Sequence, residues 1–139
     1  MKTWAFNPHV GGRPIPPSVK RRTVERLEKH AADNYQGLYT RLGIRFRGPL
    51  CYVDAFTEPE KPDKRLLSRT HETPEAYLER MRNWPLRLGR LRYFAEDRWS
   101  YAFYTYSNER YEPTVFVNGD WFGTPEEAFD IGAVYLHGK

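Results

Sequence analysis

The amino-acid sequence predicts a single α+β domain, in which an antiparallel sheet of five or six strands in meander order packs against N- and C-terminal helices. Several runs alternate apolar with polar residues between short turns, which is typical of consecutive hairpins. Helix-start signals lie near both ends, at Ser18 and at Thr124. The length of 139 residues suffices for one hydrophobic core and is too short for two independent ones.

The net charge of +4 is unevenly distributed along the chain. Residues 13–47 contain nine Lys or Arg and three Asp or Glu, whereas residues 99–139 contain two and six. This asymmetry favours a polyanionic partner. The first thirty residues lack the apolar run of a signal peptide and no stretch is long enough to span a bilayer, so we expect a cytoplasmic protein. Cys51, the single cysteine, is expected to be a small buried strand residue.

Residues 1–17 predict an irregular arm, and residues 18–139 the folded domain. Prolines at 8, 14, 16 and 17 and glycines at 11 and 12 prevent a regular helix in the arm. A helix is predicted from Ser18, as N-cap, to about Asn34. Its apolar stripe contains Val24, Leu27 and Ala31, and its remaining surface is basic. Such a basic surface is either solvated or in contact with phosphates.

A first hairpin is predicted over residues 42–56 with Gly48-Pro49 at its tip. An even-numbered loop places the alternating apolar residues on one face. That face consists of Leu42, Ile44, Phe46, Cys51, Val53 and Ala55. The other face consists of Arg45, Arg47, Tyr52 and Asp54.

The middle of the chain predicts a loop followed by a short helix at the edge of the sheet. Prolines and alternating charges indicate a loop over residues 58–70. Thr73 and Pro74 then predict a helix that ends near Asn83. Its packing face is predicted to contain Tyr77, Leu78, Met81 and Trp84.

A second, longer hairpin is predicted over residues 86–107, with its loop at 95–98. This loop pairs Arg92 with Tyr101 and Arg90 with Phe103, so that one face interleaves arginines with aromatic rings. Gly89, Leu91, Tyr93, Ser100, Ala102 and Tyr104 form the opposite face, where small residues favour close packing of a helix.

The C-terminal part predicts a strand, a tight turn and a helix. The strand covers residues 111–117, and Asn118-Gly119 predicts a hairpin that pairs Phe116 with Trp121. Thr124, Pro125 and Glu127 have the spacing of a capping box. The helix that follows is predicted to bury Ala128, Ile131, Val134 and Tyr135 and to end at Gly138.

Three segments resemble a group of small bacterial proteins with no known activity. They are residues 91–94 (LRYF), 99–107 (WSYAFYTYS) and 123–129 (GTPEEAF). The similarity covers most of the chain from Thr23 onward. It implies a bacterial origin and brings no activity, substrate, cofactor or site residue.

Both hairpins predict an arginine-and-aromatic face opposite a core-like face, which is the best functional signal in the sequence. Guanidinium groups bind phosphates and aromatic rings stack on bases, so the predicted function is binding of RNA or single-stranded DNA. The predicted site consists of Arg45, Arg47, Tyr52, Arg90, Arg92, Tyr101 and Phe103. Alternatives are a small RNA-directed nuclease of the toxin kind, a homo-oligomer that buries the aromatic surface, and arginine stems that cover a half-exposed sheet without any ligand.

The chain shows no catalytic, metal or cofactor motif. The four histidines have no partner at metal-ligand spacing, and Gly11-Gly12 precedes prolines instead of the helix that a phosphate loop needs. Asp54, Glu58, Glu60 and His71 could supply acid and base groups, although Asp54 also suits an ion pair with a nearby arginine. We therefore expect no metal and no cofactor, and the sequence leaves open whether the protein is an enzyme.

Overall fold

The computed structural model describes residues 7–8 and 10–137, which form five helices and one five-stranded sheet. Their order is α1 (Pro17–Asn34), β1 (Arg41–Arg47), β2 (Leu50–Phe56), α2 (Lys64–Thr70), α3 (Pro74–Arg82), β3 (Leu86–Ala95), β4 (Arg98–Thr105), β5 (Arg110–Thr114), α4 (Pro125–Gly132) and α5 (Val134–His137). The strands follow one another as an antiparallel meander, β1-β2-β3-β4-β5. The α+β fold with terminal helices is therefore confirmed, with five strands in its sheet. The described residues include no helix long and apolar enough to cross a membrane.

The first hairpin has the predicted register. Gly48 and Pro49 form its two-residue turn, and Gly48 has a φ of +57° that glycine adopts without a steric penalty. Ile44 lies opposite Val53, and Arg45 opposite Tyr52. The apolar and the arginine-bearing faces of this hairpin are thus separated as the alternation predicts.

The helices α1, α4 and α5 cover one side of the sheet, which we call the core face. Leu27 and Ala31 of α1 and Ala128 of α4 are fully buried there. The core face of the sheet contributes Val53, Leu91, Trp99 and Tyr101, among others. A Cβ on Gly132 would lie 1.9 Å from the carbonyl oxygen of Leu88, so α4 rests directly on the backbone of β3.

The predicted register of the second hairpin is wrong by one residue. Leu91 pairs with Tyr101 and Arg92 with Ser100, and the strands are joined by a turn at Glu96 and Asp97. A register shift between Tyr93 and Ala95 leaves one extra residue on β3. Because of this extra residue, every residue of β4 lies on the side of the sheet opposite to the predicted one.

The middle segment contains more helix, and less buried surface, than predicted. The predicted loop 58–70 contains α2, which begins where the Asp63 carboxylate accepts a hydrogen bond from the Leu66 N–H (2.8 Å). The start of α3 at Thr73 and Pro74 is confirmed. Its predicted packing face is only half-buried, and Trp84 is 55% exposed. Neither helix buries a residue fully.

The chain termini agree with the predictions in part. The capping box of Thr124 and Glu127 is confirmed, whereas the N-cap of α1 is Pro16 and not Ser18. The turn at Asn118-Gly119 is present, but β5 ends at Thr114 and no second strand pairs across the turn. Val134 is exposed, because the C-terminal helix is divided into α4 and α5. Gly138 and residues 1–6 and 9 of the predicted arm lie outside the described residues.

Candidate nucleic-acid interface

The side of the sheet opposite the core face carries arginines and tyrosines from all five strands. We call it the arginine face; it consists of Arg45, Arg47, Tyr52, Arg87, Arg90, Arg92, Tyr104 and Tyr111. Arg45 and Arg47 are exposed, and the others are half-buried. The described surface therefore combines positive charge with half-buried aromatic rings.

The strand register arranges these arginines as a grid. Tyr52 on β2 pairs with Arg45 on β1 and with Arg90 on β3. In the neighbouring row, Leu50 pairs in the same way with Arg47 and Arg92. Strand geometry separates the rows by roughly 7 Å, and β1 from β3 by roughly 10 Å. Several phosphates of one strand could therefore be contacted at once.

Aromatic rings hold several of the guanidinium groups in place. The guanidinium carbon of Arg45 lies 4.9 Å from the ring centre of Tyr52, and that of Arg90 lies 5.4 Å from that of Tyr111. Arg87 lies 5.8 Å from the ring centre of Tyr104. Cation–π contacts of this kind orient a guanidinium without using its N–H donors.

A buried carboxylate lies beneath the arginines. The side chain of Asp54 is 7% exposed, and its Oδ2 lies 3.4 Å from Arg45 Nη2 and 3.6 Å from Arg87 Nη1. Burial raises the pKa of Asp54, although both arginines oppose the shift. The prediction that Asp54 forms an ion pair with a nearby arginine is thus confirmed, and the pair links β1, β2 and β3.

Two polar atoms next to this ion pair are buried. Within the described residues, Asp54 Oδ1 has no hydrogen-bond partner, whereas the buried hydroxyl oxygen of Tyr111 lies beside Arg87, which interacts with it as a hydrogen-bond donor. Burial also raises the pKa of Tyr111, so its hydroxyl is a proton donor at neutral pH. An unpartnered buried polar atom is costly and is uncommon in native proteins.

An open concavity of about 480 Å³ lies at this point of the arginine face. Its lining comprises Arg45, Phe46, Arg47, Tyr52, Arg87 and Tyr111. These residues come from four strands, so only the folded sheet brings them together.

The N-terminal arm contacts the other end of the arginine face. Ser100 Oγ donates a hydrogen bond to the Pro8 carbonyl (2.6 Å), and Arg92 Nη1 donates one to the Gly11 carbonyl (2.9 Å). Burial and the neighbouring Arg90 lower the pKa of Arg92. Arg92 therefore belongs to the face, with part of its hydrogen-bonding capacity used by the arm.

Two of the predicted site residues lie on the core face instead. Tyr101 is 1% exposed and donates a hydrogen bond to the Leu88 carbonyl, and Phe103 stacks on Tyr135 of α5. The bulge at Phe94 explains this, because it reverses the side on which the residues of β4 lie.

The predicted site lacks Arg87 and Tyr111, and Tyr104 was predicted to lie on the helix-covered face. Tyr104 and Tyr111 are directly opposed in the register, and Arg87 lies beside Asp54. The alternation in the run 99–106 does place Ser100, Ala102, Tyr104 and Tyr106 together on one face of the strand. Its assignment to a face depended on the bulge, which local sequence does not reveal.

The basic surface of α1 is largely used within the protein. Arg26 forms ion pairs with Glu126 (2.6 Å) and Asp97 (2.7 Å), and Arg22 pairs with Glu96 (2.8 Å). These carboxylates lie on α4 and on the turn between β3 and β4. Arg22 and Arg26 therefore tie α1 to the fold, which weakens the case for phosphate contacts by these two residues.

Cys51, His30 and Tyr35 are engaged in packing or hydrogen bonds within the fold. Cys51 is buried, and burial raises the pKa of its thiol to about 12. His30 Nε2 and the Tyr35 hydroxyl both contact Asp130 Oδ1, at 2.7 and 2.6 Å. In the described part of the chain, no group of three or more His, Cys, Asp or Glu is placed to hold a metal ion.

Comparisons with protein-family models, curated proteins and solved structures find no match to this chain. The resemblance noted from the sequence accordingly stays a prediction, and the case for function depends on the geometry of the arginine face.

Proposed function

We propose that this protein binds single-stranded nucleic acid along the arginine face. The observation that carries the proposal is the combination of accessible arginines with half-buried tyrosines on one side of the five-stranded sheet. Asp54 is the one acidic residue that the strand register places between these arginines, so the local charge is strongly positive. Arginines neutralise phosphates and aromatic rings stack on bases.

A single strand fits this surface better than a duplex does. The tyrosines present rings at the level of a sheet, and a base can reach them only when it is free of its own stack. A sheet face of this kind provides no helix or β-ribbon that projects into a major groove. RNA and single-stranded DNA share the phosphate and base chemistry used here.

The test is fluorescence anisotropy with labelled 12-nucleotide RNA and DNA of mixed sequence at low salt. The double variant Arg90→Ala/Arg92→Ala is expected to bind at least tenfold more weakly and to lower the salt slope by about one per lost phosphate contact. The matched control is Arg65→Ala/Arg69→Ala, which removes the same charge from exposed positions of α2. Far-UV circular dichroism verifies that both variants are folded.

Absence of binding at low salt, or an equal loss in both double variants, contradicts the proposal. The same samples address the predicted alternatives. A nuclease shortens the RNA during incubation, as seen on a denaturing gel. A homo-oligomer formed through the aromatic surface shows a multiple of the 16.5 kDa chain mass in light scattering.

A further inference from the structure

We propose that the concavity on the arginine face binds a terminal phosphate, so that the protein prefers phosphorylated ends of a nucleic-acid strand. This inference rests on the proposed function and adds a ligand class to one part of the same surface. The site consists of Arg45, Arg47, Arg87, Tyr52 and Tyr111, with Asp54 beneath it.

The local charge matches a phosphomonoester better than a phosphodiester. Three guanidinium groups line the concavity, and the carboxylate of Asp54 offsets one of them. The remaining charge of about +2 equals the charge of a terminal phosphate at neutral pH, which is about −1.5 to −2. An internal phosphodiester carries a single negative charge and needs fewer cations in one place.

Asp54 sets the distance between two of these cations. Its Oδ2 contacts Arg45 from β1 and Arg87 from β3, at 3.4 and 3.6 Å, so both guanidiniums converge on one point from opposite sides. Each guanidinium has five N–H donors, and each approaches Asp54 Oδ2 through a single nitrogen. The donors that remain can bind two oxygens of one phosphate, and Asp54 acts as a positioning residue.

Tyr111 and Tyr52 supply the rest of the site. The ring of Tyr111 lines the concavity, and its buried hydroxyl interacts with Arg87, one of the guanidiniums of the site. The rings of Tyr52 and Tyr111 meet edge to face with their centres 5.6 Å apart. A concavity of about 480 Å³ exceeds the needs of a phosphate alone, and these rings can contact the sugar and base of the terminal nucleotide.

The experiment compares oligonucleotides of identical sequence that carry a 5′-hydroxyl, a 5′-phosphate or a 3′-phosphate. We expect the best phosphorylated form to bind about tenfold more tightly than the hydroxyl form, because several charge-assisted hydrogen bonds form at once. One further nucleotide on the hydroxyl form adds an internal charge and controls for charge alone; it should change the affinity less than twofold.

Variants separate this site from the rest of the face. Arg45→Gln and Arg87→Gln should reduce the preference for the phosphorylated end to less than twofold, and Arg45 is exposed enough that the fold tolerates its change. Asp54→Asn should reduce the preference as well, since the two guanidiniums lose their common anchor. Arg90→Ala/Arg92→Ala should weaken the binding of all three oligonucleotides and leave the ratio of their affinities unchanged.

The outcomes distinguish this inference from the proposed function. Equal affinity for hydroxyl and phosphorylated ends overturns the inference and leaves binding of single strands intact. Binding of a nucleoside 5′-monophosphate without any oligonucleotide binding supports the concavity as a phosphomonoester site and overturns the proposed function. Displacement by inorganic phosphate at the same concentration as the mononucleotide shows that the sugar and base add nothing, which overturns the nucleotide part. No binding of any of these probes overturns both proposals.

Discussion

Replacing Gly132 with alanine tests how closely α4 packs on the sheet. In an isolated helix this change gains up to about 1 kcal/mol, because alanine has the higher helix propensity. In the structure, the new Cβ would lie 1.9 Å from the Leu88 carbonyl oxygen and 2.7 Å from its carbonyl carbon. Both atoms belong to the backbone of a central strand, so neither can rotate away.

The size of the effect follows from the shift that the clash requires. Ordinary van der Waals contact begins near 3.4 Å, so α4 must move about 1.5 Å away from β3. The move loosens the packing of Ala128 and Phe129, which are almost fully buried. Overpacking of this kind costs about 3 kcal/mol, and a net loss of about 2 kcal/mol remains after the gain in propensity. A typical domain has 5–15 kcal/mol of stability, roughly, so the variant folds and is measurably weaker.

Urea unfolding, followed by the fluorescence of the buried Trp99 and by far-UV circular dichroism, measures the effect. The control is Gly37→Ala, where φ is +84° and no atom lies within 4 Å of the new Cβ. It should cost about 1 kcal/mol through its backbone conformation alone. If Gly132→Ala is as stable as the wild type or more stable, the close packing of α4 on β3 is refuted.

Three further changes test the core face and two ion pairs. Tyr101→Phe removes the hydrogen bond to the Leu88 carbonyl and should cost about 1 to 2 kcal/mol in urea unfolding without changing oligonucleotide affinity. Burial raises the pKa of Asp54 above its usual 3.8, so the stability of the wild type relative to Asp54→Asn should fall as the pH rises from that value through the raised pKa. Burial raises the pKa of Glu126, but the hydrogen bonds from Arg26 lower it by more, so the pKa is below its usual value. Glu126→Gln should therefore cost about 1 kcal/mol of stability at pH 7.

Each of these three predictions would be contradicted by one specific result. Weaker oligonucleotide binding by Tyr101→Phe would place that ring on the binding surface after all. A stability difference between wild type and Asp54→Asn that is constant from pH 4 to pH 8 would mean that the carboxyl is not desolvated. The cost of Glu126→Gln should disappear as the pH falls through the lowered pKa, and a cost that persists in acid would point to packing instead of charge.

The sequence predicted the local features of the fold well. The helix starts at Thr73 and Thr124 depend on a side chain that caps the N–H groups three residues away, and both are present. The first hairpin was predicted correctly because a two-residue turn at Gly48-Pro49 sets its register without help from the rest of the chain. Arg45, Arg47 and Tyr52 were therefore assigned to the correct face.

The candidate site was predicted only where the register was local. Arg90 and Arg92 lie on the arginine face as expected, but their predicted partners Tyr101 and Phe103 do not. The difference between the predicted and the observed register is one extra residue, Phe94, on β3. Both registers interleave apolar and polar residues, so the pattern within this hairpin did not distinguish them.

The sequence by itself determined the order of the four strands of the two hairpins, the helix starts at Thr73 and Thr124 and the faces of the first hairpin, because caps, tight turns and alternation act over a few residues. Tertiary structure decided which side β4 turns to the helices, since that choice depends on packing Trp99 and Tyr101 under α1 and α4. It also brought Asp54, Arg87 and Tyr111 to one concavity from strands that are far apart in sequence. Contacts between strands β1, β2, β3 and β5 made that site, and no local pattern encodes them.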